Sequence, residues 1–152
     1  MEIRFMPCSD IKELYLKLAK DYVETLSKYD DAIRWDEAAF ERMIWDADFI
    51  FEDSKACGFI IREYVELENG KKYLYIAEFY IMPEVRKCGL GFAAVEAYMK
   101  SWDGDVFLYV LDHNEPAKGF WDAVEQRLGW KRVERSEIRQ EEGCELRIFA
   151  RE

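Results

Sequence analysis

Residues 2–6, with Ile3, Phe5 and Met6 apolar, read as a short first strand, stopped by Pro7. Ile11, Leu14, Leu18, Tyr22 and Leu26 then recur at helical spacing, with Ser9 as the candidate N-cap, and predict a helix to about Ser27. Asp36 can cap a shorter second helix carrying Phe40, Met43 and Ile44. Strand patterns follow at 49–51 and 57–65, with a return strand at 73–82 closed by Pro83. Glu68-Asn69-Gly70-Lys71 joins the last two as an Asn-Gly turn, whose central residues both tolerate positive φ.

Residues 89–101 carry Leu90, Ala94, Ala97 and Tyr98 on one helical face, and 105–111 form an apolar strand between Gly104 and Asn114. A helix is predicted over 116–128, with Pro116 in its first turn, where the missing N–H costs nothing. Two strands, 130–138 and 145–150, close the chain around Glu142-Gly143. The order β-α-α-β-β-β-α-β-α-β-β predicts an α/β or α+β fold with helices packed on a mixed sheet. No internal repeat or break in composition interrupts it, so residues 1–152 are expected to form one domain.

The chain is 50% hydrophobic and 16% aromatic, enough apolar surface to exclude disorder. It has no apolar run long enough to span a membrane and no secretory pattern in its first ten residues, so a cytoplasmic protein is expected. Cys8, Cys57, Cys88 and Cys144 are far apart, which resembles neither a zinc site nor a disulfide framework, and no other cluster has metal-ligand spacing. The net charge of −10 repels phosphate backbones and argues against nucleic acid as a partner. The same charge favours a cationic partner such as a protonated amine, or serves only to keep the chain soluble.

The most informative segment runs from Tyr80-Ile81-Met82-Pro83 through Arg86-Lys87-Cys88-Gly89-Leu90-Gly91-Phe92. A strand, a basic bend with two glycines and a helix start line up backbone N–H groups at a positive helix end, which suits a phosphate. Gly89 to Ala94 also fits the relaxed dinucleotide pattern G-x-G-x-x-A, but six residues, 83–88, separate the strand from the first glycine. No Lys-Ser/Thr pair follows Gly91, so a P-loop is excluded.

Arg86-x-x-Gly89-x-Gly91 after an apolar strand resembles the R/Q-x-x-G-x-G/A signature of the GNAT superfamily of N-acyltransferases. Asn114-Glu115-Pro116-Ala117-Lys118-Gly119-Phe120-Trp121 resembles the family's N-x-x-A-x-x-F-Y segment, and Gly129-Trp130 its Gly-Phe. The resemblance covers the chain from about Cys57 onward and implies a largely antiparallel, twisted sheet with helices on both faces. It also implies fourth and fifth strands, at 73–82 and 105–111, that splay apart to admit the pantetheine arm of acetyl-CoA. The backbone of Ile81 and Met82 would pair with that arm; Arg86, Lys87, Cys88, Gly89, Leu90, Gly91 and Phe92 would hold the pyrophosphate; Asn114 and Trp121 would line the sulfur end. Two departures stand out: Trp121 replaces the family's frequent tyrosine acid, and eight residues separate Trp121 from Gly129, about one helical turn more than usual. Ala77-Glu78-Phe79 with Phe120-Trp121 resembles a subgroup with an AEF strand and FW in place of FY.

The resemblance implies an acetyl-CoA-dependent N-acetyltransferase acting on a small-molecule or peptide amine, as a monomer or homodimer without a metal. A CoA-binding module that does not catalyse is the alternative, kept open by Trp121. An alkylammonium, with pKa about 10.4, must lose a proton before it attacks, so a base is needed. Glu78 on the fourth strand is the first candidate, either as base or as a binder of substrate charge, and Tyr75 and Tyr109 on the splayed strands come next. His113 could serve as a base or be a solvated loop residue; Tyr29, Asp30, Asp31, Trp35 and Asp36 could cage a cation or merely join two helices. Cys88 at the helix start beside two cations is expected to act through its backbone N–H more than its sulfur.

Overall fold

A computed structural model of the protein describes residues 2–86 and 89–151. Its elements run β1 (Ile3–Pro7), α1 (Lys12–Leu26), α2 (Glu37–Met43), β2 (Ala47–Glu52), β3 (Lys55–Glu66), β4 (Lys72–Ile81), α3 (Leu90–Tyr98), β5 (Asp105–Leu111), α4 (Glu115–Leu128), β6 (Lys131–Arg132) and β7 (Cys144–Ala150). The strands form one seven-stranded sheet in the order β1-β2-β3-β4-β5-β7-β6. All neighbours are antiparallel except β4 and β5. The element order is the one the hydrophobic pattern predicts, and the mixed sheet is the one the resemblance implies.

Strand alternation sends successive side chains to opposite faces. Phe49, Phe59, Ile61 and Tyr80 pack with Tyr15, Leu18, Tyr22 and Phe40 of α1 and α2. Ile50, Ile60, Leu74 and Ile76 pack instead with Leu90, Val95, Trp121 and Val124 of α3 and α4. Helices therefore cover both faces. A third cluster, Tyr73, Phe107, Ile138 and Ile148, contains no helical residue. Among the described residues no helix is long and apolar enough to cross a membrane.

Three local expectations are corrected. Ser9 does not cap α1: burial of Cys8 draws the chain into a 3-10 turn, Cys8–Ile11, and the helix begins without a side-chain cap. The β3–β4 connection is longer than a two-residue turn. Only Gly70 takes positive φ (82°), while Asn69 Oδ1 accepts from the Lys71 N–H and Gly70 N–H donates to the Leu67 carbonyl. Residues 130–138 are not one strand. After Arg132 only the Val133 N–H still reaches Ile148, and the chain then turns to bury Ile138 in the third cluster. Asp36 does cap α2, accepting from the Ala39 N–H at 3.2 Å.

Candidate active site

The parallel pairing of β4 with β5 covers only Tyr73↔Asp105, Leu74↔Val106 and Tyr75↔Phe107. Beyond these rungs Ile76 to Ile81 and Leu108 to Leu111 have no partner in each other, and the sheet opens. Met82 N–H donates to the Cys57 carbonyl at 2.8 Å, and the Tyr80 carbonyl faces Gly58, so the backbone groups of Ile81 between them point into the opening. There the Ile81 carbonyl accepts from Arg86 Nε at 2.8 Å, and the Arg86 guanidinium lies 5.8 Å from the Tyr80 ring. Met82, the other backbone position expected to meet the pantetheine arm, lies just past the end of β4. Its N–H is held by β3 and its carbonyl accepts from the Val85 N–H at 3.1 Å, so its backbone hydrogen bonds are made within the chain.

Gly89 precedes α3 with φ +74°, a conformation costly for residues with a Cβ, and no side chain caps the helix. The first N–H groups of α3 are thus open to an anion. Leu90 is buried in the core; the pro-Cβ position of Gly91 lies 2.8 Å from Phe120 Cε1 and 3.7 Å from Ile81 Cγ1. Phe92 carries the Arg127 guanidinium 3.6 Å above its ring. Lys87 and Cys88 lie outside the described residues. Asn114 Oδ1 caps α4, accepting from the Ala117 N–H at 3.1 Å. Trp121 is buried, edge-on to Phe79 of β4 at 5.6 Å and to Phe120 at 4.9 Å.

On the other face a bulge sets the position of Glu78. Ile61 pairs with Glu78 but Arg62 pairs with Ile76, which leaves Ala77 as an extra residue. Without it Glu78 would share the face of Leu74 and Ile76; with it Glu78 turns toward α1. Tyr22 Oη donates to Glu78 Oε1 at 2.6 Å. The Tyr22 ring is wedged between Phe59 at 5.5 Å and Tyr80 at 5.4 Å. Burial raises the Glu78 carboxyl to about 7; the Tyr22 hydrogen bond opposes that rise and the charge of Glu141 adds to it. Tyr75, pushed up by burial and by Glu78 and Glu141, stays protonated at neutral pH. Tyr109 is also raised by burial, and its hydroxyl donates to the Arg139 carbonyl, tying down the loop before β7.

A cleft of about 480 Å³ lies at the same end of the sheet, lined by Ser27 to Asp31, by Asp112 and His113 after β5, and by Gly143. It brings together Tyr29, Asp30, Asp31 and His113. Trp35 and Asp36 are elsewhere: Trp35 stacks on Phe40 at 5.3 Å and Asp36 caps α2. The Cys144 thiol is held up by burial and by the negative charge of Glu141, Asp112, Asp30 and Glu78. Sequence reasoning missed Tyr22, which sits within an apolar stripe like any core residue, and Asp112 and Glu141. Asp112, beside His113 at the end of an apolar strand, was the one of the three with a local signal.

An open sheet parted between β4 and β5, with a glycine-led helix on one face and a half-buried carboxylate on the other, is the frame of an acyltransferase. The model of the Acetyltransferase (GNAT) family matches residues 10–125, and the chain belongs to that family. A search of the curated proteins finds no match. Among solved structures, the chain is similar to the NatC complex bound to Gag peptide and CoA, at 14% identity and TM-score 0.66 over 98% of this chain and 97% of that one. It is similar to Arabidopsis thaliana NAA60 in complex with a bisubstrate analogue, at 17% identity and TM-score 0.62 over 97% and 96%. It is also similar to PaiA N-acetyltransferase from Thermoplasma acidophilum in complex with coenzyme A, at 18% identity and TM-score 0.59 over 100% of both chains. These likenesses show the GNAT fold.

Proposed function

We propose that the protein is an acetyl-CoA-dependent N-acetyltransferase, a single cytoplasmic domain that moves an acetyl group to the nitrogen of a small-molecule or peptide amine. The observation that carries this reading is the opening between β4 and β5, which joins the α3–α4 face to the face bearing Glu78. Acetyl-CoA would lie with its pyrophosphate at the amides of Gly89 to Phe92 and its pantetheine arm along Ile81, as an added strand. Asn114 and Trp121 would flank the sulfur end. Structures of relatives with CoA and with a bisubstrate analogue support this use of the fold. Ala77-Glu78-Phe79 and Phe120-Trp121 mark the subgroup to which we assign the chain.

The acceptor would enter from the cleft beside Asp30, Asp31 and Asp112, whose charge suits a protonated amine. Glu78, with its pKa near 7, takes the amine proton directly or through one water. The nitrogen then attacks the thioester carbonyl, the C–N bond forms as the C–S bond breaks, CoA leaves as a thiolate, and the second nitrogen proton, made acidic by acylation, is lost to solvent. That thiolate, with a thiol pKa of about 8.5, takes its proton from solvent and needs no strong acid. Trp121 favours a second reading, a CoA-binding module without turnover, because an indole cannot donate a proton at neutral pH. Thiol release from acetyl-CoA with a panel of amines tests the proposal; CoA binding by calorimetry without any thiol release would support the second reading, and absence of both would refute each.

A further inference from the structure

Glu78 and Tyr22 are 56 residues apart and meet through one hydrogen bond, from the Tyr22 hydroxyl to Oε1. The tyrosine brings more than a hydroxyl. Its ring is fixed on two sides by Phe59 and Tyr80, so the direction of its O–H is set by the packing of α1 on β3 and β4. Oε2 of Glu78 has no hydrogen-bond partner among the described residues. One oxygen is therefore held while the other is left for an incoming proton.

We infer that Tyr22 is the positioning residue of the catalytic base, holding Glu78 by Oε1 so that Oε2 is presented to the acceptor amine. The inference rests on the assignment of Glu78 as base. A donor to a carboxylate favours its charged form, so Tyr22 also lowers the cost of ionising Glu78 in a site that otherwise resists ionisation. The groups facing Glu78 explain why such help is needed. Tyr15 on α1, Tyr75 on β4, Cys144 on β7 and Glu141 in the loop before β7 all interact with it electrostatically, and none brings positive charge.

Tyr22→Phe keeps the ring and removes one oxygen. The acidic limb of the kcat/KM–pH profile should move to higher pH by roughly one unit or more, the effect expected when a charge-assisted hydrogen bond is lost. CoA affinity should stay unchanged. Tyr22→Phe added to Glu78→Gln should lower kcat no further than Glu78→Gln alone, because the tyrosine acts only through the carboxylate. An unmoved acidic limb, or additive losses in the double variant, would overturn the role of Tyr22. The two assignments fail separately: a Glu78→Gln enzyme with wild-type kcat and pH profile sinks the base and Tyr22 with it. Loss of the limb in Glu78→Gln alongside an unshifted Tyr22→Phe sinks Tyr22 alone. If Tyr22→Phe does not fold, ¹³C NMR of the wild type still decides. The Tyr22 Cζ shift should follow the titration midpoint of the Glu78 carboxyl, and a Tyr22 signal that ignores that midpoint would refute the coupling.

Discussion

Tyr75 lies flat on Phe107, with ring centroids 4.7 Å apart and planes 3° from parallel, across the last rung at which β4 and β5 still pair. The stack marks where the sheet begins to open. Phe107 is buried, so Phe107→Ala should lower stability by about 3–5 kcal/mol, read from chemical denaturation. Tyr75→Phe preserves the stack and removes only a hydroxyl. Its kcat should stay within about tenfold of wild type, whereas a loss of ~100-fold or more would make Tyr75 an acid–base group in its own right.

Gly89 sits at φ +74°, and among the described residues nothing lies within 4 Å of where a Cβ would be. A side chain there meets no steric clash, and left-handed backbone strain costs roughly 1–2 kcal/mol. Gly89→Glu should therefore fold, with a modest fall in melting temperature, while its carboxylate occupies the position proposed for the CoA pyrophosphate. CoA affinity should drop at least about tenfold, equivalent to about 1.4 kcal/mol, in calorimetric titration. Unchanged affinity in the folded variant would remove this loop from the cofactor site.

The element order was legible because each segment carries a local signal: the helical stripe from Leu14 to Leu26, or the uninterrupted apolar run of β5. What was not legible depends on pairing between distant segments. The sequence from Leu74 to Phe79 is apolar or aromatic except at Glu78 and carries no mark of a bulge, and only the register against Ile61 and Arg62 reveals Ala77 as one. That one extra residue decides which face Glu78 serves. Glu78 stands out in the sequence only as a carboxylate on the fourth strand, and its partner Tyr22 is indistinguishable from core in the helix that carries it. Residues 130–138 misled for the opposite cause: Trp130, Val133 and Ile138 have strand-forming side chains, but they pack into two separate clusters and strand pairing stops after Arg132.

Arg147 was also hidden, because a charged residue in a strand is expected to face water. It is 3% exposed and faces α4, bonding Asp122 at 2.8 Å, Glu125 at 2.9 Å and Glu145 at 2.7 Å. Arg132, 45% exposed, shares the same three carboxylates. Removing the buried cation leaves Glu125, itself 14% exposed, without its inner partner. Arg147→Ala should cost about 3–5 kcal/mol in unfolding free energy. Arg132→Ala should cost about 1 kcal/mol or less, because solvent screens it. Equal losses in the two variants would contradict this division.

The raised pKa of Glu78 links stability and activity with opposite signs. Burial, opposed in part by Tyr22, lifts the carboxyl from 4.5 to about 7 in the folded chain. Between those values the unfolded state has lost the proton and the folded state retains it, so stability falls as pH rises through this window. The full penalty, on the order of 3 kcal/mol, is reached above the folded pKa and vanishes below the unfolded one. Glu78→Gln should therefore be more stable than wild type at pH 8 and similar to it at pH 4, measured by denaturant unfolding at both. Activity should move the other way. Wild-type kcat/KM should climb through pH 7 as the base ionises, and kcat of Glu78→Gln at pH 8 should be lower by roughly 10²–10⁴-fold. The deficit should narrow as pH approaches the amine's own pKa, where free amine forms without help. A variant that gains stability at pH 8 but keeps full activity would leave Glu78 as a structural carboxylate and return the base to a residue other than Glu78.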